Sequence, residues 1–530
     1  MPSDISASAA DVTSAAATRR TTLSRLYMGV SATTVAIAAF AATPAYAQVN
    51  TTITDDTPVS NPSGGTVTLP AGTTQTVNDG DNIELEDNTN DDSIIIIDGT
   101  AINNDSSDED VVIFVDNSED DIVINIGATG ILRGVNGVIF YEGDGAIITN
   151  NGLIEGTGNA DEGVVYFDRD ADGAVNSLVN NGDIISVGGP TIGIDTLLGT
   201  DPSSSTTGDE EGIARFTLVN TGTIANNDTG DSDSDAINLN GDPGTTNSVD
   251  RGCLEGALVL CQVELDITNS GTISAARDSS SNAAIRGEED AVLSGTIANL
   301  VTGQITGASN AITINGAHAD HDLTITNAGT ITGTASSGIW ITGAGVTVEN
   351  EAGGVITGGD EGIRIEGSVI DIDTGESGAD LSDVAVAASN ISVTNAGTIS
   401  GADTGLFIGE NATGATVTNT GTITGGDGIT SASGGTFTND GDIAATDGVG
   451  LLFAGSEDVT VTLGADSSVT ATGNLVEFNG DGTNTLNVDG SASVSGLLVG
   501  STAGAAENIL NLSGDTMGAK FIQANNFGTI

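Results

Sequence analysis

The phrase that most constrains this chain is apolar-x-Asn-x-Gly-x-Ile, which occurs eight times without a gap, with its Asn at Asn150, Asn180, Asn220, Asn269, Asn327, Asn395, Asn419 and Asn439. Within each copy the specified residues share one parity, as in Val417, Asn419, Gly421 and Ile423, and the residues between them are mostly Thr, Asn, Ser or Asp. A period of two is that of an extended chain with one face in and one face out. Two further copies, Asn299 to Ile305 and Asn350 to Ile356, carry two extra residues between the Asn and the Ile. An insertion of two returns every side chain to its own face, whereas an insertion of one would turn the apolar set to water. The register is therefore a property of the fold and not of one copy.

A second phrase, Gly-led and alternating, follows most copies: SSGIWITG from Ser336, DEGIRIEG from Asp360, DTGLFIGE from Asp403 and TDGVGLLF from Thr446. One unit thus holds at least two strands and their turns. The closest Asn-to-Asn spacings are 20, 23, 24 and 28 residues, and larger ones, such as the 45 between Asn350 and Asn395, predict a skipped unit or a lateral loop. No helical period of useful length follows the first 50 residues. Short strands, Gly at corners and a fixed short period predict an all-β fold, a right-handed parallel β-helix growing as an elongated solenoid. The recurrent Asn either stacks amide on amide along the axis or takes up a left-handed turn conformation. Both readings support a coil.

Composition agrees with thin layers of small aliphatic residues: aromatics make up 3% of the chain against 75 glycines. About 400 coiled residues at about 22 per coil would give roughly 18 coils stacked at about 4.8 Å each. The formal charge is −62 and Lys520 is the single lysine, so no nucleic acid partner is expected, because little could neutralise phosphate. The acids either attract divalent cations or keep a long sheet surface soluble and its edges unpaired.

Arg19, Arg20 and Arg25 precede an apolar run over 28–40, and Ala45-Tyr46-Ala47 offers small residues for cleavage between Ala47 and Gln48. This is the pattern of an export signal, and the run is too short for a permanent membrane anchor. The expected organisation is a signal peptide over 1–47, an N-terminal β region capping the solenoid over 48–120, repeats with lateral loops over 121–455, and C-terminal coils over 456–530. Cys253 and Cys261, the only cysteines, are eight apart, and in an exported chain they predict a local disulfide rather than a zinc site.

Tandem units such as ITNAGTITG at Ile325 followed by Gly-Ile-x-Ile, behind an export signal in an acidic, lysine-poor chain, resemble the passenger region of a bacterial autotransporter. The resemblance covers roughly 121–455, and NTLNVDG at Asn484 and NILNLSGD at Asn508 resemble the last passenger coils before a translocating barrel. It implies a β-helical passenger exported through the periplasm to the outer membrane and cell surface, or released outside the cell. Its implied role is adhesion to host, matrix or neighbouring-cell ligands, or self-association. No run of barrel-type alternating strands with aromatic girdles occurs up to Ile530, so the barrel is expected beyond Ile530 or supplied in trans.

Three places carry candidate chemistry. Asp168, Asp170 and Asp172 take the first, third and fifth positions of a calcium loop with Gly173 at the turn, although Val179 stands where the bidentate Glu of a helix-loop-helix site belongs. Calcium is the one cofactor this suggests. Asp231, Asp233 and Asp235 repeat the spacing without the Gly, and His318 and His321 lie beside Asp320 and Asp322 in a polar loop. A polysaccharide-degrading enzyme, lyase or glycosidase, is the alternative to a non-catalytic rod. It would need paired carboxylates and a cation facing a groove, for which Arg286 and Arg364 are the strand-borne candidates. Trp340, the single tryptophan, alternates with Ile339 and Ile341, and either faces outward as a sugar-stacking ring or interface anchor or packs in the ordinary way.

Overall fold

The computed structural model describes residues 50–60, 65–85, 93–105, 110–116, 119–143, 145–158, 163–167, 174–195, 213–230, 234–240, 262–279, 282–288, 292–315, 322–370, 384–386, 388–504, 506–514 and 522–528. Among these residues every regular element is a strand. Strands recur in a fixed order of three per coil, as in Ala415–Asn419, Thr422–Gly425 and Asp427–Ser431, here termed the first, second and third faces. Within each face a strand pairs in parallel, residue for residue, with the strand one coil later: Val417 with Phe437, Ile423 with Ile443, Ile429 with Leu451. The first face stacks 17 such strands and the second 15, and the third runs as one open series from Val59–Ser60 to Ile522–Asn525. The fold is a parallel β-helix, and the crossover rule for parallel strands makes it right-handed. The pairing series pass the expected boundaries near 120 and 455 without a break.

The repeat phrase is not one strand. It spans a corner, with the first-face strand ending at Asn419 and the second-face strand starting at Thr422. The in-out alternation continues through so tight a corner, which is why the phrase reads as a single alternating strand. The two-residue insertion after Asn299 shows the same corner opened: Asn299 stays paired with Asn269 and Gln304 with Thr272, while Leu300 and Val301 bulge out, 43% and 78% exposed. Asn350 pairs directly with Asn395, so the long gap between them is a lateral insertion and not a skipped coil. The longest insertions leave from one corner, where third-face strands Ile192–Asp195, Ile237–Asn240 and Glu361–Ile365 give way to the next first-face strands Ile213–Asn220, Gln262–Asn269 and Ser392–Asn395.

The interior is built of columns. Ile, Val and Leu stack on their counterparts, as in Ile273, Ile305, Ile331 and Ile356, all fully buried. The corner Asn residues form a ladder. Nδ2 of Asn150 donates to Oδ1 of Asn180 at 2.8 Å, and the same bond repeats in the same direction through 220, 269, 299, 327, 350, 395, 419 and 439 at 2.7–2.9 Å. The second Nδ2 hydrogen reaches a backbone carbonyl of the next coil, as from Asn180 to Thr223 O at 3.0 Å. None of these Asn residues has a positive φ, so the stacking reading holds and the left-handed one does not. All are at most 3% exposed, and the ladder gives each buried amide its partners. The motif Gly has a different cause. It too has ordinary φ, but a Cβ on Gly222 would overlap the Gly182 carbonyl oxygen, and one on Gly271 that of Gly222. Coils approach here at backbone contact, and only Gly fits.

Candidate functional site

Thr306, Thr332, Thr357, Ser400 and Thr424 form one outward column of small hydroxyls on the second face. The third face is different. Its strands set one outward position between two buried ones, as with Trp340 between Ile339 and Ile341. Parallel pairing aligns those middle residues coil on coil: Phe114, Phe140 and Tyr166 toward the N-terminus, then, past Gly193, Asn238, Arg286, Thr313, Trp340, Arg364 and Phe407. Two arginines, the single tryptophan and four other rings share this line, while Arg133 and Arg215 lie on the other two faces and further rings are interior.

Two charged constellations stand in this line. At the first, the Asp235 side chain is fully buried; its Oδ1 accepts from the Ala283 amide at 2.7 Å, and its Oδ2 lies 3.6 Å from Arg286 Nη1. Arg286 Nη2 reaches Glu288 Oε2 at 2.7 Å, and Asn238 Nδ2 lies 3.4 Å from both carboxylates. At the second, Arg364 Nη2 donates to Glu366 Oε1 at 2.8 Å, and Nη1 lies 3.7 Å from Glu361 Oε1. The Arg364 guanidinium also sits 5.6 Å from the ring centroids of both Trp340 and Phe407, a cation held between two π faces.

The electrostatics of the second constellation divide between its carboxylates. Burial raises the Glu361 pKa above 4.5; the distant Arg364 contact and the Ser337 hydroxyl offset this only in part, and Asp360 and Asp403 add to it. Burial alone would lower Arg364, but its hydrogen bond to Glu366 and the charges of Glu366, Glu361 and Asp360 outweigh it and hold the guanidinium above its ordinary value. The close partner, Glu366, secures the cation. The loose one, Glu361, bears the desolvation.

Arg364 faces outward beside both Glu361 and Glu366, and Trp340 takes the outward of its two expected placements, stacked in a column rather than alone. Arg286 and Arg364 are not the only strand-borne cations. Arg133 donates to Glu155 at 2.6 Å and Arg215 to Glu264 at 2.9 Å, each across to the next coil. Among the described residues no three His, Cys, Asp or Glu side chains are placed to hold a metal ion. Asp235 serves the Arg286 constellation. The calcium-loop residues Asp168, Asp170 and Asp172, the pair Asp231 and Asp233, the histidines His318 and His321, the cysteines Cys253 and Cys261, and the cleavage pair Ala47 and Gln48 lie outside the described residues. A comparison with protein-family models, with curated proteins and with solved structures finds no match in any of the three.

Proposed function

We propose that this chain is an exported, cell-surface β-helical passenger of autotransporter type, non-catalytic, which adheres to host, matrix or neighbouring-cell ligands, or to itself, through its third face. The observation that carries this reading is the third-face line from Asn238 to Phe407, in which Arg286, Trp340, Arg364 and Phe407 stand in register along the stacked coils. Trp, Phe, Tyr and Arg are the side chains that dominate binding energy at protein surfaces, because each removes a large area from water at a small entropic cost. Immunolabelling of intact cells, together with adhesion of beads coated with the full chain, tests the proposal. Label at the surface and bead binding weakened by Trp340→Ala are expected. Antigen found only after cell lysis, or beads that bind equally with and without the ring, overturns it.

One observation favours a second reading. Two carboxylates, the partly exposed Glu288 and the buried Asp235, flank the Arg286 guanidinium, and a carboxylate pair is what cleavage of a glycosidic bond requires, provided Asp235 becomes accessible to substrate. Release of reducing ends from polysaccharides, abolished by Asp235→Asn and by Glu288→Gln, would replace adhesion with catalysis as the function of this face.

A further inference from the structure

Four consecutive coils place Arg286, Thr313, Trp340 and Arg364 in strict register on the third face. Each carries a buried polar atom with no hydrogen-bond partner among the described residues: Arg286 Nε, Thr313 Oγ1, Trp340 Nε1 and Arg364 Nε. A buried polar group left unpaired costs about 1–3 kcal/mol, and native structures rarely collect several in one place without a use for them. Here they form a row at the coil spacing of about 4.8 Å. Thr313, 2% exposed, stands between Arg286 and Trp340 in the register.

Resting on the adhesive reading above, we infer that this row binds an extended, uncharged polysaccharide along the helix axis. Charge selects the class. A chain at −62 repels polyanions, and both guanidiniums in the row are already neutralised by two carboxylates each. A polycation would be drawn to acids over the whole surface, with no preference for this row. Shape selects it further. Donors and an acceptor repeating in a straight line call for hydroxyls repeating in a straight line, and the Trp340 and Phe407 rings offer apolar surface to the apolar faces of sugar rings while the indole N–H addresses their rims.

Trp340 is the only tryptophan in the chain, so its emission reports this row alone. The full chain is titrated with hydroxyethyl cellulose, xyloglucan and dextran, with alginate and chitosan as charged controls. The expected result is a saturable emission shift with at least one neutral polymer, weakened at least tenfold in Arg364→Met and in the shape-conserving Thr313→Val. Thr418→Val, outward on the first face, should leave it unchanged, and far-UV circular dichroism confirms that each variant is folded. No shift with any neutral polymer, an equal or larger shift with alginate or chitosan, or a response indifferent to Arg364→Met and Thr313→Val each overturns the inference. So does a shift that depends on protein concentration without polymer, which would assign the row to a second copy of this chain. Coated beads that still adhere while Trp340 stays silent would sink the polysaccharide and leave the adhesive function standing; cells without surface label would do the reverse.

Discussion

The corner position after the first face is an amide in the middle of the solenoid and an aliphatic at both ends. From Asn150 to Asn439 the ladder is unbroken, whereas the same register position holds Leu69, Ile97 and Ile126 before it and Leu463 and Val488 after it. Both kinds are buried. An aliphatic corner gains transfer free energy from any apolar neighbour, so it stabilises without specifying which residue stacks on which. An amide corner is satisfied only by another amide at hydrogen-bonding distance, so it specifies the register of every coil it joins. The longest separations between neighbouring corners, 40, 45 and 49 residues, all fall inside the laddered part. Where long lateral insertions interrupt the winding, the returning strand must find its place again, and the ladder marks that place.

Breaking the ladder in its middle should have the largest effect. Asn220→Leu keeps roughly the side-chain volume but removes the acceptor of Asn180 and the donor to Asn269. Two buried groups lose partners, and a loss of about 2–5 kcal/mol is expected. Because solenoid stability is local, hydrogen exchange should show it in the coils around 180–269 and not near 463–488. Protection lost evenly along the chain would mean that the ladder does not act coil by coil.

The end of the ladder offers a sharper contrast. Asn439 accepts from Asn419, and its own Nδ2 donates only to the Gly441 carbonyl, because the next coil presents Leu463. Asn439→Leu breaks one inter-amide bond instead of two and moves the aliphatic boundary back by one coil, so about half the middle-ladder cost is expected, about 1–2 kcal/mol. Equal losses at 220 and 439, read from denaturant midpoints at constant slope, would show that the amides act by packing and not by pairing.

Extending the ladder is a smaller perturbation of the opposite kind. Leu463→Asn gives Asn439 an amide to donate to, but places that amide under Val488, where its own Nδ2 finds no acceptor of the same kind. The lost burial slightly outweighs the new bond, and a net cost of about 1 kcal/mol follows. Joining it with Val488→Asn should reduce the cost per substitution, since each added amide then partners the next. A double variant worse than the sum of the two single ones would contradict the account of the ladder as a pairing device.

Much of this was readable before any coordinates. Parity identified the faces, and the two-residue insertions at Asn299 and Asn350 identified the register, since both corners keep their partners. The stacked Asn was one of two readings because a left-handed turn uses the same residue, and only the backbone angles separate them. The three-strand coil was hidden because Asn-x-Gly turns a corner without breaking the alternation. The third-face line was hidden for a deeper reason. Arg286, Thr313, Trp340, Arg364 and Phe407 share no residue type and no constant spacing, and outward positions are not held to one chemistry by a common core. Their alignment exists only once coils separated by unequal insertions are set in register. For the same reason Arg133 and Arg215 were not legible as members of inter-coil ion pairs.

Acid should act oppositely on the two regions. Amides do not titrate near neutrality, so the ladder itself carries no pH dependence, but Glu361 in the laddered part has a raised pKa. Its folded pKa is raised above 4.5, chiefly by burial, so the ionised form is a cost to the fold at neutral pH; that cost is relieved as pH falls through the folded value and is gone below 4.5. In the first coil, Asp55 has the opposite shift: the hydroxyl and the amide of Thr57 hold its pKa below 3.8, so its small contribution is present above 3.8 and lost as pH falls through the lower folded value. Between neutrality and pH 4.5 the coil bearing Glu361 should therefore become more protected against exchange, after correction for the intrinsic rate, while the coil bearing Asp55 holds steady and loosens only at lower pH. Glu361→Gln removes the cost at the outset, raising protection at neutral pH and flattening the profile in that coil alone. A variant whose acid-side profile matches that of the parent would place the titration on another group and leave the carboxylate at 361 without influence on the laddered coils.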